Sequence, residues 1–135
     1  MKSEETSTRC ALLKWLAPNM LEIRFAPGIL LDKSGVGEVI QERKRMCGTT
    51  PTGLLLIVPH DTDLDLSVIN TDHLRAHDAT DWVLAFAVVA GSMMAEALLR
   101  LYKAYYPTPF PAEVFNEEVA ARTWLGERVA EALKA

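Results

Sequence analysis

The chain has 135 residues, 50% of them hydrophobic and 24% charged, with 18 acidic side chains against 14 basic ones. This length fits one domain with a substantial core, and the composition excludes wholesale disorder, collagen, a long coiled coil and, with two Cys, a disulfide scaffold. A formal net charge of −4 offers no basic field to hold a nucleic-acid backbone, so no nucleic-acid partner is expected.

Residues 1–8 (MKSEETST) are polar and lack the apolar stretch of a secretory leader, so they are expected to be a disordered, solvated tail ahead of a single domain over 9–135. The uncharged run 82–95 is fourteen residues long and is interrupted by Gly91-Ser92. A membrane-spanning helix needs about 20 apolar residues, so no transmembrane segment is expected. Cys10 and Cys47 form no CxxC pair and are expected to be reduced thiols of a cytoplasmic protein.

Residues 10–15 and 20–25 are two short apolar runs around Pro18-Asn19, and Leu21, Ile23 and Phe25 alternate with Glu22 and Arg24. Period-2 alternation about a turn predicts an antiparallel hairpin. Helical spacing follows over 31–46, with Val36, Val39, Ile40 and Met46 near one face. Asp32 or Ser34 caps its start, Gly48 marks its stop, and Arg43, Lys44 and Arg45 suit the carboxyl end of the helix dipole. The continuous apolar run 53–58 predicts a central strand covered on both faces. An Asp-rich loop leads to a predicted helix over 70–79 with Asn70 as its cap, and residues 82–90 read as a second buried strand. Ser92 opens a helix to about Tyr106, with Met94, Ala97, Leu98, Leu101 and Tyr105 along one face. Pro107, Pro109 and Pro111 then forbid helix, a strand covers 112–115, and Asn116 caps a closing helix. The expected class is α/β: a mainly parallel sheet of about five strands with helices packed on it, in the order β-β-α-β-α-β-α-β-α.

That order, and above all the segment 82–125 with its Pro-containing turn, Val114-Phe115, Asn116, Glu117, Glu118 and Trp124-Leu125, resembles the SpoIIAA-like (STAS-like) superfamily of anti-sigma-factor antagonists, in its branch of small single-domain bacterial proteins. The resemblance implies a protein-binding, regulatory domain rather than an enzyme. Antagonists of this kind carry Asp-Ser-Ser/Thr-Gly after the central strand, with the first Ser phosphorylated by a partner kinase. Here Asp65-Leu66-Ser67-Val68 approaches that motif without the adjacent Asp or the Gly, which makes Ser67 the candidate phosphosite. The local match at residues 32–37 follows the hairpin instead and reads as a helix cap.

Six of the seven Asp and all three His fall within 60–81, where only Arg75 opposes them, so this segment alone carries a net −5. Three readings compete. Asp61, Asp63, Asp65 and Asp72 share the spacing of a calcium loop, but Leu66 replaces the turn Gly and the closing Glu is missing. His73 and His77 are four apart and would share a helix face, with His60 or Asp61 near enough to complete a metal site, although no Cys/His framework supports it. The third reading is a solvated loop and helix caps, which still presents Asp61, Asp63, Asp65 and Ser67 to a basic protein partner. No cofactor or metal is expected, and a second copy of the chain is among the candidate partners. The alternative function is a carrier or sensor of a small lipid-like apolar ligand, peripheral to a membrane, with Phe86, Met93, Met94, Leu98 and Tyr102 as pocket residues; ordinary core packing competes with it.

Overall fold

The computed structural model describes residues 4–134. In chain order it comprises β1 (Glu5–Ser7), β2 (Ala11–Ala17), β3 (Met20–Phe25), β4 (Leu30–Leu31), α1 (Lys33–Cys47), β5 (Thr52–Val58), β6 (Asp63–Leu64), α2 (Leu66–Ile69), α3 (His73–Ala76), β7 (Val83–Ala90), α4 (Met93–Tyr105), β8 (Ala112–Phe115) and α5 (Glu118–Lys134). The main sheet has six strands in the order β1-β2-β3-β5-β7-β8, and β4 with β6 forms a separate two-stranded parallel ladder.

The sheet is mixed, which corrects the mainly parallel expectation. From β3 through β5 and β7 to β8 the strands run parallel, whereas β1, β2 and β3 pair antiparallel. The extra strand comes from the expected tail. Glu5, Thr6 and Ser7 pair with Lys14, Leu13 and Leu12, and so satisfy backbone groups that β2 would otherwise leave open at the sheet edge. Residues 1–3 of that tail lie outside the described residues. The element order also differs because β4, β6 and the short helix α2 stand where no element was expected, and the helix expected over 70–79 is reduced to the four-residue α3. Asp65 caps α2 by accepting from Ser67 N, Asp72 caps α3 by accepting from Arg75 N, and Asn70 ends the first instead of starting the second.

Other expectations match the structure. Asp32 caps α1, accepting from Gly35 N at 2.8 Å, and Ser92 caps α4, accepting from Ala95 N at 3.1 Å. The hairpin forms between β2 and β3, and the two long apolar runs become the adjacent inner strands β5 and β7.

The two faces of the sheet are packed differently. On one, α5 lies close over β5 and β7, because the residues beneath it are small. Ala85 and Ala87 are fully buried there with Leu125 and Ala121. A Cβ on Gly53 would stand 2.4 Å from Val129 Cγ2, a distance no real side chain tolerates. An ion-pair network latches this helix to β3: buried Glu22 accepts from Arg122 Nη2 at 2.7 Å and from Arg24 Nε at 3.3 Å, and Arg24 also grips Glu118 with two hydrogen bonds. The opposite face carries larger side chains. Residues in register form two rows across the parallel strands, Leu21, Leu54, Phe86 and Ala112 in one, Ile23, Leu56, Val88 and Val114 in the other. Four helices, α1 to α4, share the covering of this face.

Candidate functional site

Beneath α1–α4 lies a cavity of about 150 Å³, walled almost wholly by apolar atoms. Its floor is formed by side chains of the two rows, among them Leu54, Leu56, Phe86 and Val88. Helix α1 lends Val36, Val39 and Ile40, and α4 closes the far side with Leu99, Tyr102 and the neighbouring Tyr106. The acidic segment forms the roof through Leu64, Val68, His73 and Leu74. Helices resting on bulky side chains cannot settle as α5 does on Ala and Gly, and the residual space is this cavity.

Polar groups in the wall are few and mostly engaged. Arg43, buried on α1, donates through Nη2 to the Ala79 carbonyl at 2.7 Å, tying α1 to the chain leading into β7; burial lowers its pKa. His73 is 4% exposed, stacks on Tyr102 with ring centroids 5.9 Å apart, and places Nε2 2.8 Å from the Val68 carbonyl oxygen. Its backbone N–H donates to the Tyr102 hydroxyl oxygen at 3.0 Å. Burial pushes the His73 pKa down and raises that of Tyr102 to about 12. At neutral pH both rings are therefore uncharged, as an apolar cavity requires.

The residues expected from sequence separate into groups. Phe86 and Tyr102 line the cavity, and Leu98 packs against the surrounding core. Met93 and Met94 do not belong to it: they are 88% and 70% exposed on the outer side of α4. Apolar residues occupy most of the circumference of that helix, so periodicity alone could not say which arc turns inward. The structure turns in Ala95, Leu98, Leu99 and Tyr102, and leaves Leu101 and Tyr105 outside with the two Met.

In the acidic segment, Asp61 and Asp63 are exposed, whereas Asp65 is occupied as a cap. Ser67 Oγ donates to Asp65 Oδ2 at 2.5 Å and accepts from Lys33 N at 3.1 Å, so a phosphoryl group there would displace both bonds. Hydrogen bonding to Ser67 also holds the Asp65 carboxyl below its ordinary range. His73 and His77 have different partners: His73 faces the Val68 carbonyl and Tyr102. After the four-residue α3, His77 is its carboxyl cap and lies over α1, its Nδ1 3.4 Å from Gln41 Nε2 and its ring against Gly37. Among the described residues, no group of three or more His, Cys, Asp or Glu could hold a metal ion. Both Cys are buried and unbridged. Among the described residues, no helix is long and apolar enough to cross a membrane.

Sequence reasoning missed Val88, Leu99, Ile40 and Arg43 as cavity residues. The alternation in 83–89 carried a signal for Val88, whereas nothing in the triplet 43–45 distinguishes the one buried Arg.

No family model matches the chain, and no curated protein matches it. Among solved structures, it is similar to an uncharacterised protein of the DUF3478 family with a SpoIIAA-like fold from Shewanella loihica PV-4, with a TM-score of 0.57 over 90% of each chain and 13% sequence identity. The likeness is one of fold: the chain has a SpoIIAA-like architecture.

Proposed function

We propose that this SpoIIAA-like domain binds a small apolar molecule between its sheet and the α1–α4 layer, as a carrier or sensor rather than a catalyst. The observation that carries this reading is the cavity itself. Its volume of about 150 Å³ matches that of apolar protein cavities able to take up benzene-sized guests. The walls supply dispersion contacts throughout, and the few polar groups suit orientation of a guest more than its chemical conversion.

The test is a thermal-shift titration with toluene. Ligand that binds only the folded state raises the melting temperature with concentration, and toluene is expected to do so. Val88→Phe places a ring into the space above the sheet; it should keep or raise the melting temperature of the free protein and abolish the toluene response. A wild-type protein indifferent to toluene would remove the proposal.

A second reading draws on a different observation. Asp61 and Asp63, after β5, and Met93 and Met94, after β7, are all exposed, and the Gly91 N–H donates to the Val58 carbonyl at 2.9 Å, which joins the two loops. Acidic and apolar side chains at one end of the sheet suit a protein partner with a basic rim, the regulatory role the fold resemblance implies. Its test is a partner that binds wild type and is lost on the double variant Asp61→Lys with Asp63→Lys, while toluene binding stays unchanged.

A further inference from the structure

Helix α4 is apolar on its outward side as well as its inward one. Met94, Ala97, Leu101 and Ala104 are all exposed, and they follow one another at steps of three, four and three, the spacing of a seam between two helices. Large and small side chains alternate along this seam. Against a second copy running in the same direction, Met94 would meet Met94 and Ala97 would meet Ala97, leaving a void at every Ala pair. Against an antiparallel copy, related by a two-fold axis level with Leu99, Met94 meets Ala104 and Leu101 meets Ala97. Each large side chain then fills the space over a small one, and the two helix dipoles oppose.

The charges beside the seam are matched by the same arrangement. Glu96, Arg100 and Lys103 lie along one flank, the acidic group toward the Met93 end and the basic groups toward the Tyr105 end. Within one chain, Arg100 Nη2 holds Glu96 at 2.9 Å and Lys103 Nζ holds Glu113 at 3.3 Å, with both cations about half-exposed. Antiparallel copies bring Arg100 of one level with Glu96 of the other, whereas a parallel pair sets Glu96 beside Glu96. Asp61 and Asp63 follow Val58, whose carbonyl accepts from Gly91 N–H just ahead of α4, so this acidic loop belongs to the Met93 end. It is thereby turned toward the basic end of the other copy. The same acidic loop disfavours an anionic bilayer as the occupant.

We propose that a second copy of the chain docks on this strip, α4 against α4, antiparallel about a two-fold axis. This rests on the partner reading above and names the partner with a basic rim as the protein itself. A single helix strip is small beside the roughly 800 Å² per partner of a standard interface, so the pair is a reversible one.

Sedimentation equilibrium of the full chain tests it. Between about 1 and about 500 μM, wild type is expected to move from the 15.0 kDa of one chain toward twice that mass. Ala97→Arg places a charge at the centre of the seam, on an exposed position, and should hold the protein at the mass of one chain without changing the melting curve of dilute protein. Glu96→Arg and Arg100→Glu should each weaken self-association about tenfold or more, because like charges then face each other across the seam. An equimolar mixture of these two variants should pair at least as tightly as wild type, a recovery that a folding defect would not give. Wild type at the mass of one chain throughout would overturn the second copy as occupant and leave the partner reading to its own test. Pairing that survives Ala97→Arg unchanged would overturn the placement on α4. A monomeric wild type that binds phosphatidylglycerol vesicles would overturn the proposal in favour of a lipid surface.

Discussion

Burial is the dominant influence on His73: it lowers the imidazole pKa, His77 and Lys33 push the same way, and the Val68 carbonyl and Asp72 oppose them. The unfolded chain therefore takes up a proton at a higher pH than the folded one, and stability is lost as pH falls below about 6.5. Urea midpoints measured at pH 7.5 and 5.5 should show this loss in wild type, and His73→Phe should show a smaller one. Tyr102 acts beside it in two ways, as cavity wall and as acceptor for the first N–H of α3. Tyr102→Phe keeps the wall and removes the acceptor, so denaturation should report a loss of about 1 kcal/mol.

At the scale of elements, the two faces of the sheet predict unequal responses to truncation. Leu125 of α5 is fully buried against Gly53, Ala85 and Ala87, where no neighbour can move in to fill a gap. Leu125→Ala should cost about 3–5 kcal/mol. Leu99 of α4 borders an existing cavity, so Leu99→Ala should cost less, about 1–2 kcal/mol, because part of the contact is already missing. Urea denaturation of the two variants compares them directly. The same contrast applies to the latch on α5. Glu22→Gln leaves Arg122 and Arg24 with a weaker partner, and about 2 kcal/mol should be lost, less than the roughly 3–5 of a fully buried pair, since both Arg are half-exposed. Arg24 hydrogen bonds hold the Glu118 carboxyl below its ordinary range, so its contribution is present above about pH 4.5 and disappears on acidification below that.

For the molecule as a whole, the unusual surface is α4. Met93, Met94 and Tyr105 are 70% exposed or more, and with Leu101 they form an apolar strip that the fold does not use internally. Isolated exposed apolar residues are ordinary, but a continuous strip along one helix is a common mark of an interaction surface. Because nothing internal rests on it, replacing Met93, Met94 and Leu101 together by Gln should change the melting free energy by less than about 1 kcal/mol while raising solubility. A larger loss would mean that these side chains contribute to the fold.

Local chemistry was enough to identify the hairpin, the inner pair β5 and β7, the caps at Asp32 and Ser92, and the proline-interrupted passage into β8. Each depends on side-chain alternation, turn residues or a hydroxyl placed before a helix, all properties of short stretches. The strand β1 was hidden because backbone pairing with β2 stabilises it, and backbone pairing leaves no mark on side-chain type. The caps of α2 and α3 were hidden because Asp65, Asn70 and Asp72 are all acceptable caps, and residue type alone does not say that Asp65 and Asp72 start helices while Asn70 ends one. The cavity was beyond the sequence altogether. It is the difference between two ways of covering one sheet, with small residues admitting α5 on one side and large ones holding α1–α4 off on the other, and such a difference exists only once the strands are in register.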